Sequence, residues 1–206
     1  MSLLYLLLFC AAGFGLIRFF LAGEVRPSLH NGLLVSLGVG AGLGIASSLY
    51  FLCLALAGPK VAVFAIVEGV FVVAALMLGL RAKARVDHAA PGETSRIPLY
   101  LTALFGGAAL LGLVLFITHS ANKPHGEWDA WSIWNLHARF LYRSGELWKN
   151  VFSTKLAWSH PDYPLLLPGV VALCWTLASE STLAPIALAF LFTFATAGLL
   201  ISSLGI

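Results

Sequence analysis

The sequence predicts an all-α protein that crosses a membrane about six times, and three observations carry that prediction. The chain has 206 residues, of which 60% are hydrophobic and only 10% charged. Soluble domains carry about a quarter charged residues, so this composition is too poor in charge to cover a water-facing surface. Apolar runs of roughly 18 residues or more recur along the chain, long enough to cross hydrocarbon as helices. Polar residues, by contrast, are gathered into a few stretches, and five of the six tryptophans (Trp128, Trp131, Trp134, Trp148 and Trp158) fall in one of them.

Six spans follow from hydropathy, at residues 3–22, 32–57, 60–80, 97–118, 164–178 and 183–204, each near the ~20 residues a crossing helix needs. The fifth is short. The N-terminal MSLLYLLLFCAAGFG lacks the basic n-region of a signal peptide, and Phe9 before Cys10 is wrong for lipoprotein cleavage. It reads as a retained first span. Span two carries GVGAGLG, in which Leu43 and Ile45 occupy places where a dinucleotide fingerprint needs glycine. Small residues that let helices approach closely are the better account. In span three Glu68 is a mid-membrane carboxylate, which costs about 2.5–3.5 kcal/mol on insertion scales. It is expected either to be protonated and hydrogen-bonded between helices or to belong to a polar pathway. Arg18, near the end of span one, can snorkel to the headgroups. Cys10, Cys53 and Cys174 lie in apolar segments without C-x-x-C spacing and read as inert thiols.

Two regions result. Residues 1–96 form a three-span bundle with a basic loop, and residues 97–206 comprise a span, a large loop at 119–163 and two further spans. The loop at 81–96 carries Arg81, Lys83, Arg85 and Arg96 and is placed in the cytoplasm by the positive-inside rule. That puts the N-terminus and loop 119–163 on the outer face. The loop's own Lys123, Arg139, Arg143, Lys149 and Lys155 count against this orientation. A net charge of +3 without a basic tract gives no reason to expect a nucleic-acid partner.

The loop at 119–163 holds the chemistry. Tryptophan favours the membrane–water boundary because its ring is apolar and its N–H needs a polar partner, so the loop is expected to lie along the outer leaflet. Residues 128–144 contain neither proline nor glycine and predict one amphipathic helix, ended by Gly145. At 100° per residue, Trp131, Trp134, Ala138 and Leu141 share an apolar arc. Ser132, Asn135, Arg139 and Arg143 share a second arc, with Asp129 at its edge. Glu127 and Asp129 form an acid pair just after Gly126, and SHPDYPLLLPG (159–169) holds His160, Asp162 and Tyr163 between prolines that fix the backbone.

GEWDAWSIWNLHARFLY followed by SHPDYPLLLPG resembles the first large outer loop of GT-C glycosyltransferases. More narrowly, it is similar to the bacterial members related to protein mannosyltransferases and lipid A aminoarabinose transferase. Glu127-x-Asp129 matches a variant of that superfamily's acidic pair. His160-Pro161 and Pro164-Leu165 look like a stretched form of the basic-proline-leucine re-entry, with histidine in place of lysine and Asp162-Tyr163 inserted. Three spans precede the matched region 97–178, where simple members have the loop after their first span, and the chain is expected to be either an N-terminal portion of such an enzyme or a truncated relative lacking part of the site.

The resemblance implies a polyprenyl-phosphate sugar donor and an inverting transfer to an acceptor on the outer face, expected of a bacterial inner-membrane protein. Asp129 is the candidate base, with Glu127 beside it. Arg139, Arg143 and His160 are candidates to stabilise the departing phosphate, and Lys155 is a weaker one. Asp162 would orient a partner or supply a second carboxylate, with Tyr163 next to it at the re-entry. No cofactor is required. A divalent metal is not favoured, because Glu127 and Asp129 point about 200° apart on a continuous helix. Two rival readings are a transporter working through Glu68 and span two, and a non-catalytic membrane partner.

Overall fold

The computed structural model describes residues 1–21, 27–82 and 98–204. The described residues are helical, with no strand among them. Five long helices are apolar enough to cross a membrane: α1 (Ser2–Leu21), α2 (Pro27–Ala57), α3 (Val61–Arg81), α4 (Leu99–Asn122) and α7 (Leu183–Leu204). Two shorter ones, α5 (Asn135–Arg143) and α6 (Leu166–Ala178), lie between α4 and α7. The chain is therefore an all-α, polytopic membrane protein.

Helix α2 is the axis of the bundle, and small residues set its neighbours. A Cβ on Gly13 of α1 would overlap the carbonyl of Gly38 and the amide of Gly42, and one on Gly42 would overlap the carbonyl of Phe9. The two backbones touch, as the glycine pattern predicts, and since helices in lipid associate by close packing this is what holds them. Gly38 and Gly42 make this contact, whereas Gly40 has open space. On a second face of α1, a Cβ on Gly79 of α3 would stand 2.6 Å from Gly15 Cα. Gly58 (φ 74) starts the three-residue turn between α2 and α3: its amide ends α2 on the carbonyl of Leu54 at 3.1 Å, and its own carbonyl accepts from the amide of Lys60 at 2.8 Å.

The span expected at 164–178 is corrected by α6. Its 13 residues reach roughly 20 Å, short of the ~30 Å hydrocarbon core. Every residue from Pro168 to Trp175 is buried among other helices. Its apolar run reflects burial on all sides rather than a crossing. The direction of α7 agrees, because Gly198 packs on Ser36 and Gly32 faces Ser202. Residue numbers thus rise along α7 as they fall along α2, and α7 starts at the same end of the bundle as the 123–165 loop.

One continuous core includes Leu6, Phe9, Leu43, Tyr50 and Phe64 from the first 96 residues, and Leu141, Val151, Leu173 and Leu188 from the remainder. Helix α4 stands apart. None of its residues is buried, and it meets α7 through Phe116 and Phe190, whose rings are 5.7 Å apart. Glu68 is buried at 3% exposure, and neither carboxylate oxygen has a hydrogen-bond partner among the described residues. The interhelical hydrogen bond expected for it is absent there. The basic residues Lys83, Arg85 and Arg96, which carried the orientation argument, lie outside the described residues.

Candidate functional site

The amphipathic helix forms, but not as one regular helix. Residues Ala130–Trp134 make a π turn, closed by the amide of Asn135 on the carbonyl of Ala130, and α5 follows without a break. The helix ends at Ser144, with Gly145 at φ 52 in the left-handed region as predicted. The π turn changes which side chains share a face. In regular α geometry Asp129 would sit roughly 80° from Arg139, but the wider turn adds about 90–100°, which places it roughly opposite. Ser132, Asn135, His137, Ala138 and Leu141 point into the core. Trp131, expected on the apolar arc, is 42% exposed and forms an open cluster with Trp128 and Trp158. Trp148 alone of the loop tryptophans is buried, edge-on to Phe51 of α2 at 5.6 Å.

Arg139 and Arg143, one turn apart on α5, converge on an acid that the sequence reading did not select. Arg139 Nε lies 3.1 Å from Oε1 of Glu180, while Arg143 places Nε 2.6 Å and Nη2 2.5 Å from Oε2. Glu180 sits in the four-residue turn between α6 and α7. These three residues line a cavity of about 330 Å³ together with His125, Asn135, Trp175, Ser181, Thr182 and Pro185. The Arg139 guanidinium stands 5.8 Å from the centre of the Trp175 ring, and Trp175 Nε1 donates to the carbonyl of Ser181 at 2.9 Å. Two guanidiniums against one carboxylate leave the cavity with an excess positive charge. Its polar walls and aromatic floor suit an anionic group attached to something less polar.

The other predicted residues are dispersed. Asp129 is exposed, does not line the cavity, and has no side-chain hydrogen bond or ion pair among the described residues. Its expected clustering with Arg139 and Arg143 is corrected by the π turn that rotates it away. Glu127 pairs instead with Lys123, whose hydrogen bond holds the Glu127 carboxyl below the usual range. His160, in a left-handed backbone (φ 51), stacks on Tyr163 with ring centres 4.6 Å apart, and Tyr163 also contacts Trp134 at 5.7 Å. The proline-bounded segment thus joins the aromatic side of the loop rather than the cavity. Asp162 and Lys155 are exposed. Among the described residues no group of three or more His, Cys, Asp or Glu side chains is placed to hold a metal ion.

Beneath this surface lies a buried polar cluster. Ser159 Oγ donates to the carbonyl of Ser132 at 2.6 Å and sits 3.3 Å from His137 Nε2. With its proton already committed, Ser159 is left to accept from an Nε2–H, which fixes the His137 tautomer. Among the described residues His137 Nδ1 and Ser132 Oγ have no partner. Burial pushes the His137 pKa down, against the opposing pull of the Ser159 hydrogen bond.

Comparison with protein-family models, with curated proteins and with solved structures gives no match to this chain.

The residue missed in the sequence was Glu180. Its signal was modest but present: one acid in the polar turn Ser179–Thr182, set between two apolar segments. Its pairing with residues 37 and 41 positions earlier depends on α6 packing against α5, which brings the turn after α6 to the loop end of the bundle. That in turn follows from α6 being too short to cross.

Proposed function

We infer that this chain is a membrane glycosyltransferase of the GT-C type. In this reading it moves a sugar from a polyprenyl-phosphate donor to an acceptor at the outer face of a bacterial inner membrane, with inversion. The observation that carries the reading is the Arg139–Arg143 pair on the wall of a cavity at the loop end of an apolar bundle. A lipid-borne donor has its tail in hydrocarbon and its phosphate at the boundary. An enzyme acting on it needs cations at that boundary, on a rigid element, beside a cleft.

The acceptor hydroxyl attacks the anomeric carbon, the carbon–oxygen bond to phosphate breaks, and the electron pair leaves with the polyprenyl phosphate. The arginines stabilise that charge as it develops. The resemblance names Asp129 as the base for the acceptor proton; because Asp129 lies outside the cavity and roughly opposite Arg139, the Ala130–Trp134 segment has to turn before it can reach that proton. Within the Glu127-x-Asp129 pair the Asp129 carboxylate has no cationic partner among the described residues, whereas Lys123 engages Glu127. This part of the reading rests on the resemblance and on that free carboxylate, not on the cavity.

The test is sugar transfer by the purified protein from a polyprenyl-phosphate sugar, followed by release of polyprenyl phosphate. Wild type should turn over, and the double variant Arg139→Gln, Arg143→Gln should lose donor binding. Equal donor binding by wild type and the double variant would remove the reading. A transporter is the second reading, favoured by the buried carboxylate of Glu68, which has no hydrogen-bond partner among the described residues. It predicts solute flux abolished by Glu68→Gln and untouched by the arginine changes.

A further inference from the structure

The Glu180 carboxylate fills the place between Arg139 and Arg143 that an anionic ligand of the cavity would take. One oxygen faces Arg139 at 3.1 Å, and the other meets Arg143 through two nitrogens at 2.6 and 2.5 Å. Carboxylate and phosphate offer a guanidinium the same forked pattern of acceptor oxygens, so either can satisfy these donors.

The turn that holds Glu180 is also strained. Ser179, the residue before it, has φ 127 and ψ 158, a conformation that belongs almost entirely to glycine. Such a backbone is unfavourable and persists only where its surroundings enforce it. Here the enforcing contacts are the ion pairs on Glu180 and the Trp175 Nε1 bond to Ser181 on its far side. The Glu180 side chain is 22% exposed, so once released it has water to enter. Arg139 stays seated on Trp175.

We propose that Glu180 is an internal stand-in for a phosphate group, and that a phosphorylated ligand enters the cavity by exchanging with it at Arg139 and Arg143. This deepens the proposed function and rests on its reading of the cavity as a phosphate site. No covalent bond changes in the exchange. Two guanidiniums trade a carboxylate for phosphate, Glu180 turns to solvent, and the strained turn is freed. A ligand must therefore outcompete a tethered anion, which discriminates against weakly charged headgroups.

The experiment titrates the full chain in detergent micelles with farnesyl monophosphate and, separately, with inorganic phosphate, by calorimetry. Glu180→Gln keeps the shape of the side chain and removes its charge. It should bind farnesyl monophosphate roughly tenfold tighter than wild type, as expected when a partly exposed ion pair no longer competes. A gain for both probes means that the phosphate alone drives the exchange, and a gain for the lipid probe alone means that the tail is needed. Either outcome supports the proposal. Unchanged or weaker binding by Glu180→Gln overturns it, and makes Glu180 a residue that merely positions the arginines. If that variant fails to fold, Glu180→Asp, one methylene too short to hold both arginines, should gain affinity in the same direction; a loss there overturns the proposal equally. Tighter phosphate binding by the variant, in a protein that transfers no sugar, would sink the glycosyltransferase reading and leave the exchange standing.

Discussion

The hydroxyl of Tyr50 donates to the main-chain carbonyl of Leu141 at 3.2 Å, joining α2 to a helix 91 residues away in sequence. Tyr50 is fully buried, packs its ring on Phe64 at 4.7 Å, and lies 3.4 Å from the Thr176 hydroxyl of α6. One side chain thereby sets the height of α5 on the bundle and so the position of the arginines. Tyr50→Phe keeps the ring packing and removes the donor. A buried carbonyl left unpaired costs about 1–3 kcal/mol, so the variant should unfold at lower temperature in detergent and bind donor more weakly. Unchanged stability would mean that other contacts hold α5 in place.

Arg139 and Arg143 should differ in what replaces them. Arg139 is partly buried over Trp175, where a planar guanidinium fits and a lysine ammonium does not. Arg143 is 61% exposed and presents its fork at the rim. Arg139→Lys should therefore raise the donor KM about tenfold or more, and Arg143→Lys only a few-fold. The ratio of the two kcat/KM values checks the assignment, with kcat falling as well because the arginines also stabilise the charge that develops on the departing phosphate. Equal effects would place the phosphate away from Trp175.

The close approach of α1 and α2 makes a sharper prediction. Gly42→Val puts a branched side chain into the carbonyl of Phe9, while Gly40→Ala points into open space. Overpacking of this kind costs about 1–3 kcal/mol, and in a helix pair held by backbone contact there is little else to absorb it. Gly42→Val should lower the thermal midpoint in detergent markedly, with Gly40→Ala close to wild type. Two neutral variants would mean that the helices are not seated this way.

The small-residue seam and the long crossing helices were legible because composition and spacing act locally, and GVGAGLG needs only a partner surface to become a contact. The end of α5 at Gly145 was legible for the same reason. Two things were not. Periodicity at 100° assumes an unbroken helix, and the π turn at Ala130–Trp134 rotates Asp129 off the arginine face without any glycine or proline to announce it. Hydropathy, likewise, reads an apolar run as a crossing. It cannot tell lipid on the outside from protein on the outside, and α6 is apolar because it is buried in protein. Glu180 was missed through that second error, since its role exists only once α7 starts at the loop end.

Asp129→Asn tests the half of the mechanism that the cavity does not carry. The substitution keeps size and hydrogen-bonding capacity while removing the base. Transfer should fall at least ~100-fold, in the range for loss of a general base, with donor binding intact. A normal kcat in this variant would leave the resemblance without its acidic residue. A loss confined to donor binding would instead make Asp129 part of the binding surface.

His137 gives the loop a pH dependence whose sign is fixed by its surroundings. It is fully buried, its Nε2 faces Ser159 Oγ, its Nδ1 has no partner among the described residues, and burial lowers its pKa. The cationic form would add a second N–H with nothing to accept it, and the neighbouring His160, once protonated, would repel it further. Above the ordinary histidine value of about 6.5 both folded and unfolded chains carry His137 neutral, and the full stability is present. Below that value the unfolded chain binds a proton that the folded one resists, so the stability His137 contributes is lost progressively as pH falls. Ser159 should then part from Ser132 and free the segment leading into α6. Hydrogen exchange at residues 154–160 should accelerate between pH 7 and pH 5 in wild type. The same segment should stay flat in His137→Gln, whose neutral amide can still donate to Ser159. An equal acceleration in both proteins would assign the effect to another group.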